Sequence, residues 1–424
     1  MLKKFSRNTL LFYGGSFLLF LVIQILINLD ILNSFWNTIL RLGTVMAIVS
    51  LGLNLIYGFN GQFSLGQFGF YAIGAYAAAD ITYRWFINKS ADGLVIVLLI
   101  AGLCGVAIVW LRGFLSKIRG LDALSAFTLY LTLTIILGLI SLQIGKVLTG
   151  PVTAILAALP DAVSMQIVYV LAVILGGVLA AEISFLFGLP ILTLGSDYFG
   201  IATLGFTIIM KVLLDNSDTM FGFVEMKGAR GMVGIPKLTS WFWVFIFLLL
   251  VVVLTRNLLQ SSYGRAIISV REDEIAAKAM GIDIAHYKIL TFVLGSFFAG
   301  LAGGLYAHIN GFLHPNTFNF IKSFDPMIII VFGGLGSVTG TLIASFTWAL
   351  VLEGLLRLVL PQGFETWRFV VYPLLLLLLM LLKPKGLFGE FELPFLRQLL
   401  PPLPKFLTNK NAAQETAPGE APEA

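Results

Sequence analysis

The sequence predicts an all-α, polytopic transmembrane helical bundle, and three observations carry that expectation. Hydrophobic residues make up 58% of the chain and charged residues only 12%. Mean hydropathy is +0.95. Apolar runs of membrane-spanning length recur over nearly all of the 424 residues. Soluble domains carry about twice this share of charge. A hydrocarbon core about 30 Å thick needs about 20 apolar residues per helical crossing, and on that spacing the chain holds about ten to twelve membrane segments, some short or glycine-broken.

Reading outward from polar breaks, spans are expected near residues 10–29, 38–57, 64–82, 94–111, 124–145, 167–187, 196–214, 241–255 and 288–309. The first runs from Thr9 to Leu29 without a small-residue cleavage pattern, which favours a span over a signal peptide. The stretch 326–356 is divided by Gly333, Gly334, Gly336 and Gly340 into a short piece, thin enough to re-enter, and a longer one, and a last span follows at 369–382. Counting the divided stretch as two crossings puts both termini on one side. Segments on that side hold more of the 27 Lys and Arg residues than the opposite segments, which makes it the cytoplasmic side.

This gives an N-terminal cytoplasmic end with the first span (1–37), a main membrane domain (38–390) and a cytoplasmic tail (391–424). The tail is expected to be disordered from Thr408 to Ala424, where Ala, Pro, Glu and Gln leave nothing to bury. Two loops are long enough to have a role, an outer one near Asp215–Ser240 and an inner one at 256–287.

The net charge of +5 fits basic loops against anionic membrane lipid and not a nucleic-acid surface. Cys104 is the sole cysteine, so no internal disulfide or cysteine metal site is expected, and His286, His308 and His314 are too scattered for a ligand cluster. No G-x-x-x-x-G-K-[ST] and no G-x-S-x-G occurs. The chain is therefore expected to bind no cofactor, to do no covalent chemistry and to take its energy from elsewhere.

Ser262 to Lys288 is the most informative stretch. Glu272, Asp273 and Glu274 crowd the first turn of a short helix and Lys278 lies in its last turn, each matching the sign of the helix dipole. Gly281 stands where a left-handed C-cap is expected, and Asp283 is placed to cap the next helix. Ile275, Ala276, Ala279 and Met280 form an apolar face on the short helix. Such a face fits either lipid headgroups or a groove on a partner protein.

At this point the chain resembles a known family. E-x-A-A-x-x-x-G, from Glu274 through Ile275, Ala276, Ala277, Ala279 and Met280 to Gly281, resembles the coupling-loop motif by which ABC-importer permeases engage their ATPases. Around it stand GLNLIYGFNGQFSLGQFGFYAIGAYAAA (Gly52–Ala79), SDYFGIATLGF (Ser196–Phe206), FFAGLAGGLYA (Phe297–Ala307), VFGGLGSVTG (Val331–Gly340) and LLKPKGLFG (Leu381–Gly389). In this order they resemble the M-type membrane subunit of branched-chain amino-acid permeases. The resemblance implies an importer of Leu, Ile, Val or a related small solute in the prokaryotic inner membrane. Its implied partners are a homologous second permease, two ABC ATPase subunits that bind the ATP, and an extracytoplasmic solute-binding protein. Residues 92–160 look like a two-span insertion into the family pattern, and Arg230 stands where the family more often has Asn. Urea, short amides or another amino acid remain open as cargo, as does an ion-gradient-driven transporter using an intramembrane acid such as Glu182.

Asn54, Gln62, Ser64 and Gln67 lie among closely spaced glycines in what would be two adjoining spans. Polar amides in hydrocarbon need partners or water, so these residues are candidates for a translocation path, together with Asp197 and Tyr198. Small-residue helix packing explains the same glycines. Gly300 with Gly304 and Gly336 with Gly340 have the GxxxG spacing and are assigned to helix packing. Asp325-Pro326 reads as an N-cap followed by the first helical residue. Among the ionisable residues within or near spans, Glu182, Asp197, Lys211 and Glu353 are brought forward as candidates for function.

Overall fold

The computed structural model describes residues 7–115, 123–191, 196–220 and 224–359, with isolated positions at 374, 377, 381–383, 386–387 and 392–393. The span expected at 369–382 lies almost wholly outside the described residues, and the tail from Thr408 to Ala424 lies entirely outside them.

The long helices are α1 (Arg7–Asn28), α2 (Ser34–Leu53), α3 (Gln67–Asn88), α4 (Asp92–Leu115), α5 (Ala123–Ala157), α6 (Asp161–Ile191), α7 (Ser196–Asp215), α9 (Trp241–Gln260) and α12 (Ile284–Asn310). Shorter ones are α8 (Ser217–Met220), α10 (Ser262–Glu272), α11 (Glu274–Ala279), α13 (Phe324–Gly333), α14 (Val338–Trp348) and α15 (Leu356–Val359). Among the described residues, seven helical runs are long and apolar enough to cross a membrane, and Phe12–Asn28 and Asp92–Ile108 are shorter apolar runs. The end of the bundle carrying α10 and α11 is called the lower end below.

Several boundaries differ from expectation. The helix expected to stop at 145 continues through Pro151 to Ala157; lipid offers the backbone no alternative partner, so a single missing N–H does not end the helix. α2 does not stop at 57 but widens into a π-turn, Asn54–Phe59, before the chain leaves helical geometry at 60–66. The divided stretch becomes α13, a turn at 334–337, α14, a second π-turn (Ala349–Leu355) and α15.

At the centre, α3, α6 and α12 cross at backbone contact. A Cβ at Gly176 would lie 2.8 Å from the Gly74 carbonyl oxygen, one at Gly300 would lie 2.8 Å from the Gly176 carbonyl oxygen, and one at Gly74 would strike the Gly300 carbonyl. α2 joins at Gly52 and Gly295, where either Cβ would approach the other's carbonyl oxygen at 2.5 Å. Without a water-driven hydrophobic effect between lipid-bathed helices, such close approach supplies the dispersion contact that holds them together. In its most apolar window the α2 run is 83% buried, whereas that of α5 is 11% buried. The first is therefore a central helix. The second belongs to a hairpin, α4–α5, at the edge of the bundle.

At the upper end, two-residue strands β1 (Met232–Val233) and β2 (Phe312–Leu313) pair antiparallel, with Met232 opposite Leu313. They tie together the loops before α9 and after α12. Arg84 anchors the same end, with Asp80 at 2.9 Å and Asp92 and Glu225 each at 3.2 Å.

The central crossing yields the first prediction. Gly74→Leu should lower the thermal unfolding midpoint of the purified protein by several degrees, since overpacking a close contact costs about 1–3 kcal/mol. Gly102→Leu, where a Cβ meets nothing within 4 Å, should leave it unchanged.

Candidate functional site

Two interrupted membrane segments meet at the lower end, and Asn54 holds them together. Its side chain is fully buried. Asn54 Nδ2 donates to the Ser337 carbonyl and to Thr341 Oγ1, both at 3.0 Å, and the Gly336 N–H donates to Asn54 Oδ1 at 2.9 Å. Gly58 makes room for this contact, because a Cβ there would lie 2.6 Å from the Gly336 nitrogen. Gly336 has φ +78°, a backbone that glycine adopts without strain. The π-turn and the 334–337 turn thus specify one another.

Gly336 and Gly340 are therefore not a GxxxG helix pair, contrary to their spacing. Gly336 lies in the turn, and Gly340 faces Gly333 across the α13–α14 hairpin. Gly300 and Gly304 do lie on one helix: Gly300 faces Ala180, Gly176 and Gly177, while Gly304 faces Val173 and Ala78. Asp325 is not an N-cap either. α13 begins at Phe324, so Asp325 falls in its first turn, where it pairs with Lys322 at 3.3 Å.

The segment 60–66 is not helical, and several of its polar groups are met by neighbours. Thr203 Oγ1 accepts from the Leu65 N–H at 3.0 Å, Thr207 Oγ1 donates to the Leu65 carbonyl at 3.1 Å, and Asn60 Nδ2 donates to Thr291 Oγ1 at 2.8 Å. Sequence reasoning missed Thr203 and Thr207, although their i, i+4 spacing on one face of α7 is a legible signal. Ser64 Oγ accepts from the Gly66 N–H at 3.3 Å. Gln62 and Gln67 are buried, and among the described residues neither amide nitrogen nor amide oxygen of either finds a partner. Four orphaned amide atoms in a lipid-embedded interior are costly unless water or a polar solute meets them.

Asp197 is the second residue of α7, and its side chain lies outside the described residues. Tyr198 is 64% exposed and does not join the buried amides. Glu182 faces the α4 side, with its Oε1 3.2 Å from where a Gly105 Cβ would sit, and Lys211 pairs with Asp215 at 2.8 Å.

Gly281 and Asp283 serve the lower-end element as expected, whereas Asp273 is the N-cap of α11 and not part of its first turn, and Glu272 is the last residue of α10. Asp273 Oδ1 accepts from the Ile275 N–H at 2.8 Å and the Ala276 N–H at 3.0 Å, Gly281 has φ +82°, and Asp283 accepts from the His286 N–H. Ile275 and Met280 are each 83% exposed, and Ala276 and Ala279 are exposed beside them, but Ala277 points inward at 4%. Glu274 pairs with Lys288 of α12 at 2.6 Å. Arg271, at the end of α10, donates from Nη1 to the Gly58 carbonyl at 2.7 Å and from Nε to Glu272 at 3.0 Å. One side chain thus runs from the exposed element to the π-turn.

The chain returns to this junction once more. The Leu387 N–H donates to the Phe332 carbonyl at 2.9 Å, and Glu392 accepts from the Val338 N–H at 2.5 Å and from Thr339 Oγ1 at 2.6 Å, capping α14.

A glycine-packed helical membrane domain, with broken helices lined by orphaned amides and a capped apolar knob tied to the breaks, has the anatomy of a membrane transport permease. The chain belongs to the family described as branched-chain amino acid transport system / permease component, whose profile matches residues 36–154 and 123–381. It is 31% identical over 247 residues to the high-affinity branched-chain amino acid transport system permease protein LivM of Escherichia coli strain K12, covering 50% of this chain and 56% of that protein. A probable LivM of Methanocaldococcus jannaschii is 27% identical over 237 residues, covering 53% of this chain and 69% of that protein. The permease protein LivH of Escherichia coli strain K12 is 30% identical over 158 residues, covering 37% of this chain and 49% of that protein. The chain thus spans about half the length of the enterobacterial relatives it matches. No solved structure matches it.

Asn54→Leu should strand the Gly336 N–H and cost about 1–3 kcal/mol for each group left unpaired. Hydrogen exchange at Gly336 in detergent is the check: faster exchange in the variant is the expected result.

Proposed function

We propose that the chain is the M-type membrane subunit of an ATP-driven importer carrying Leu, Ile, Val or a closely related amino acid. Its partners on this reading are a homologous second permease, two ATPase subunits that bind all the ATP, and an extracytoplasmic binding protein. The setting is a prokaryotic inner membrane, with both termini and the lower end in the cytoplasm. Support comes from the names of the LivM and LivH relatives. The single observation that carries it is the geometry of α11: an apolar knob of Ile275 and Met280 on a helix capped at both ends and tied to α12 by Lys288, next to α10, whose Arg271 reaches the Gly58 carbonyl.

On this reading the knob enters a groove on an ATPase. ATP binding draws the two ATPases together and displaces α11. Lys288 passes the displacement to α12, and Arg271 passes it to the Gly58 carbonyl and so to the paired breaks. The breaks then alternate access to the path lined by Gln62, Ser64 and Gln67. Nothing in this cycle requires covalent chemistry from the chain.

Removing the gene should abolish uptake of labelled leucine that only branched-chain amino acids compete for. Competition by urea, acetamide or another amino acid would move the cargo to that class. Ile275→Asp with Met280→Asp should prevent co-purification of the ATPase subunits while the chain stays in the membrane. Unchanged co-purification would remove the docking claim. The exposed pair tests docking more cleanly than Ala277→Asp, because Ala277 is buried and its replacement disturbs the fold.

A further inference from the structure

Between α2, α12, the segment 311–323 and the continuation of α14 lies a cavity of about 270 Å³. Its floor is aromatic: the Phe68 and Tyr71 ring centroids stand 5.1 Å apart, and Tyr306 lies 5.5 Å from Tyr71. One wall is aliphatic, made by Leu42, Val45 and Met46 of α2. Charged groups of both signs line the rest. Lys322 and Asp325, an ion pair at 3.3 Å, stand at the start of α13, and Glu353 and Arg357 come from the far wall.

This lining has a definite chemical preference. Two cations and two anions balance, so a ligand with net charge is disfavoured over one that carries both signs at once. The N-terminus of the half-helix α13 adds positive potential beside Lys322, a device suited to a carboxylate inside a membrane protein. Ionisable side chains at membrane depth are expensive to retain without a role. The aliphatic wall offers nothing to a polar side chain.

The cavity is also placed on a route. From Phe35, at its mouth, to Met46 along α2 is about 16 Å at 1.5 Å per residue, roughly half of a hydrocarbon core about 30 Å thick. The floor therefore lies near mid-membrane, and Gln67, with its orphaned amide, directly precedes the floor residue Phe68 in the chain.

We propose that this cavity is where the chain itself holds its cargo in transit, a zwitterionic amino acid with an aliphatic side chain. The carboxylate lies toward Lys322 and the α13 N-terminus, the ammonium toward Glu353, and the side chain against Leu42, Val45 and Met46. The Phe68 and Tyr71 rings are the gate beneath it. This rests on the permease reading and names the site at which that reading is carried out.

The test uses the whole transporter in liposomes, with Leu42→Cys in the cavity wall; the one native cysteine, Cys104, is buried. During ATP turnover, saturating leucine should slow labelling by a small cationic thiol reagent about fivefold or more, and aspartate or lysine should not. Lys322→Gln should abolish the protection and raise the KM for leucine about tenfold, as the loss of one charge-assisted hydrogen bond predicts. Lys322→Arg, which keeps the cation, should keep the protection, and so separates loss of the site from loss of the fold. Labelling indifferent to leucine, or a wild-type KM in Lys322→Gln, overturns the site. If the wild-type assembly shows no ATP-driven uptake at all, it is the permease reading that fails. Leucine protection of Leu42→Cys in the chain alone then decides the cavity separately.

Discussion

The structure depends on one buried amide. Asn54 satisfies three hydrogen bonds across a sequence gap of more than 280 residues, and in doing so joins the π-turn that ends α2 to the turn that separates α13 from α14. Neither break is tolerable alone in a membrane interior, where unpaired backbone groups have no water to meet them. Each supplies the other's partners. Glu392 caps the second break from a distant part of the chain, and Arg271 reaches the first from α10. Interruptions that would be defects in a soluble helix are here a bonded junction, placed where an exposed helix can act on it.

The glycine crossings complete the mechanical picture. Gly74, Gly176 and Gly300 bring α3, α6 and α12 to backbone contact, leaving a rigid core whose packing resists deformation. On the proposed cycle, movement falls where the helices are interrupted, between Asn54 and Gly66 and around Gly334–Ser337. The α4–α5 hairpin, packed on α3 and α6, sits outside that route.

Much of this was legible in the residues. The helical bundle followed from composition, and the left-handed Gly281 after α11 and the Asp283 cap of α12 followed from their positions, because capping is local chemistry; Asp273, expected within the first turn, is instead the N-cap of α11. What resisted reading were features set by distant partners. GxxxG spacing at Gly336 and Gly340 looks the same in a helix and in a turn, and only Asn54 on another helix decides between them. Arg271 reads as an ordinary basic residue in a basic loop until the Gly58 carbonyl is placed beside it. Asp325 changed role because a 3-10 turn at Phe320–Ser323 feeds α13 directly and moves the helix start upstream of the expected cap. Ala277 belonged to the expected coupling face by motif, yet the rotation of one short helix turns it inward while Ile275 and Met280 stay outside.

The central claim is that movement of α11 reaches the membrane breaks through the Arg271 side chain. The most direct measurement is the number of amino acid molecules transported per ATP hydrolysed, for the reconstituted wild-type assembly and for Arg271→Ala. The ATPase subunits should stay bound and hydrolyse ATP while the ratio falls about tenfold, within the range of a coupling free energy of about 1–3 kcal/mol. A ratio equal to that of the wild type would contradict the account.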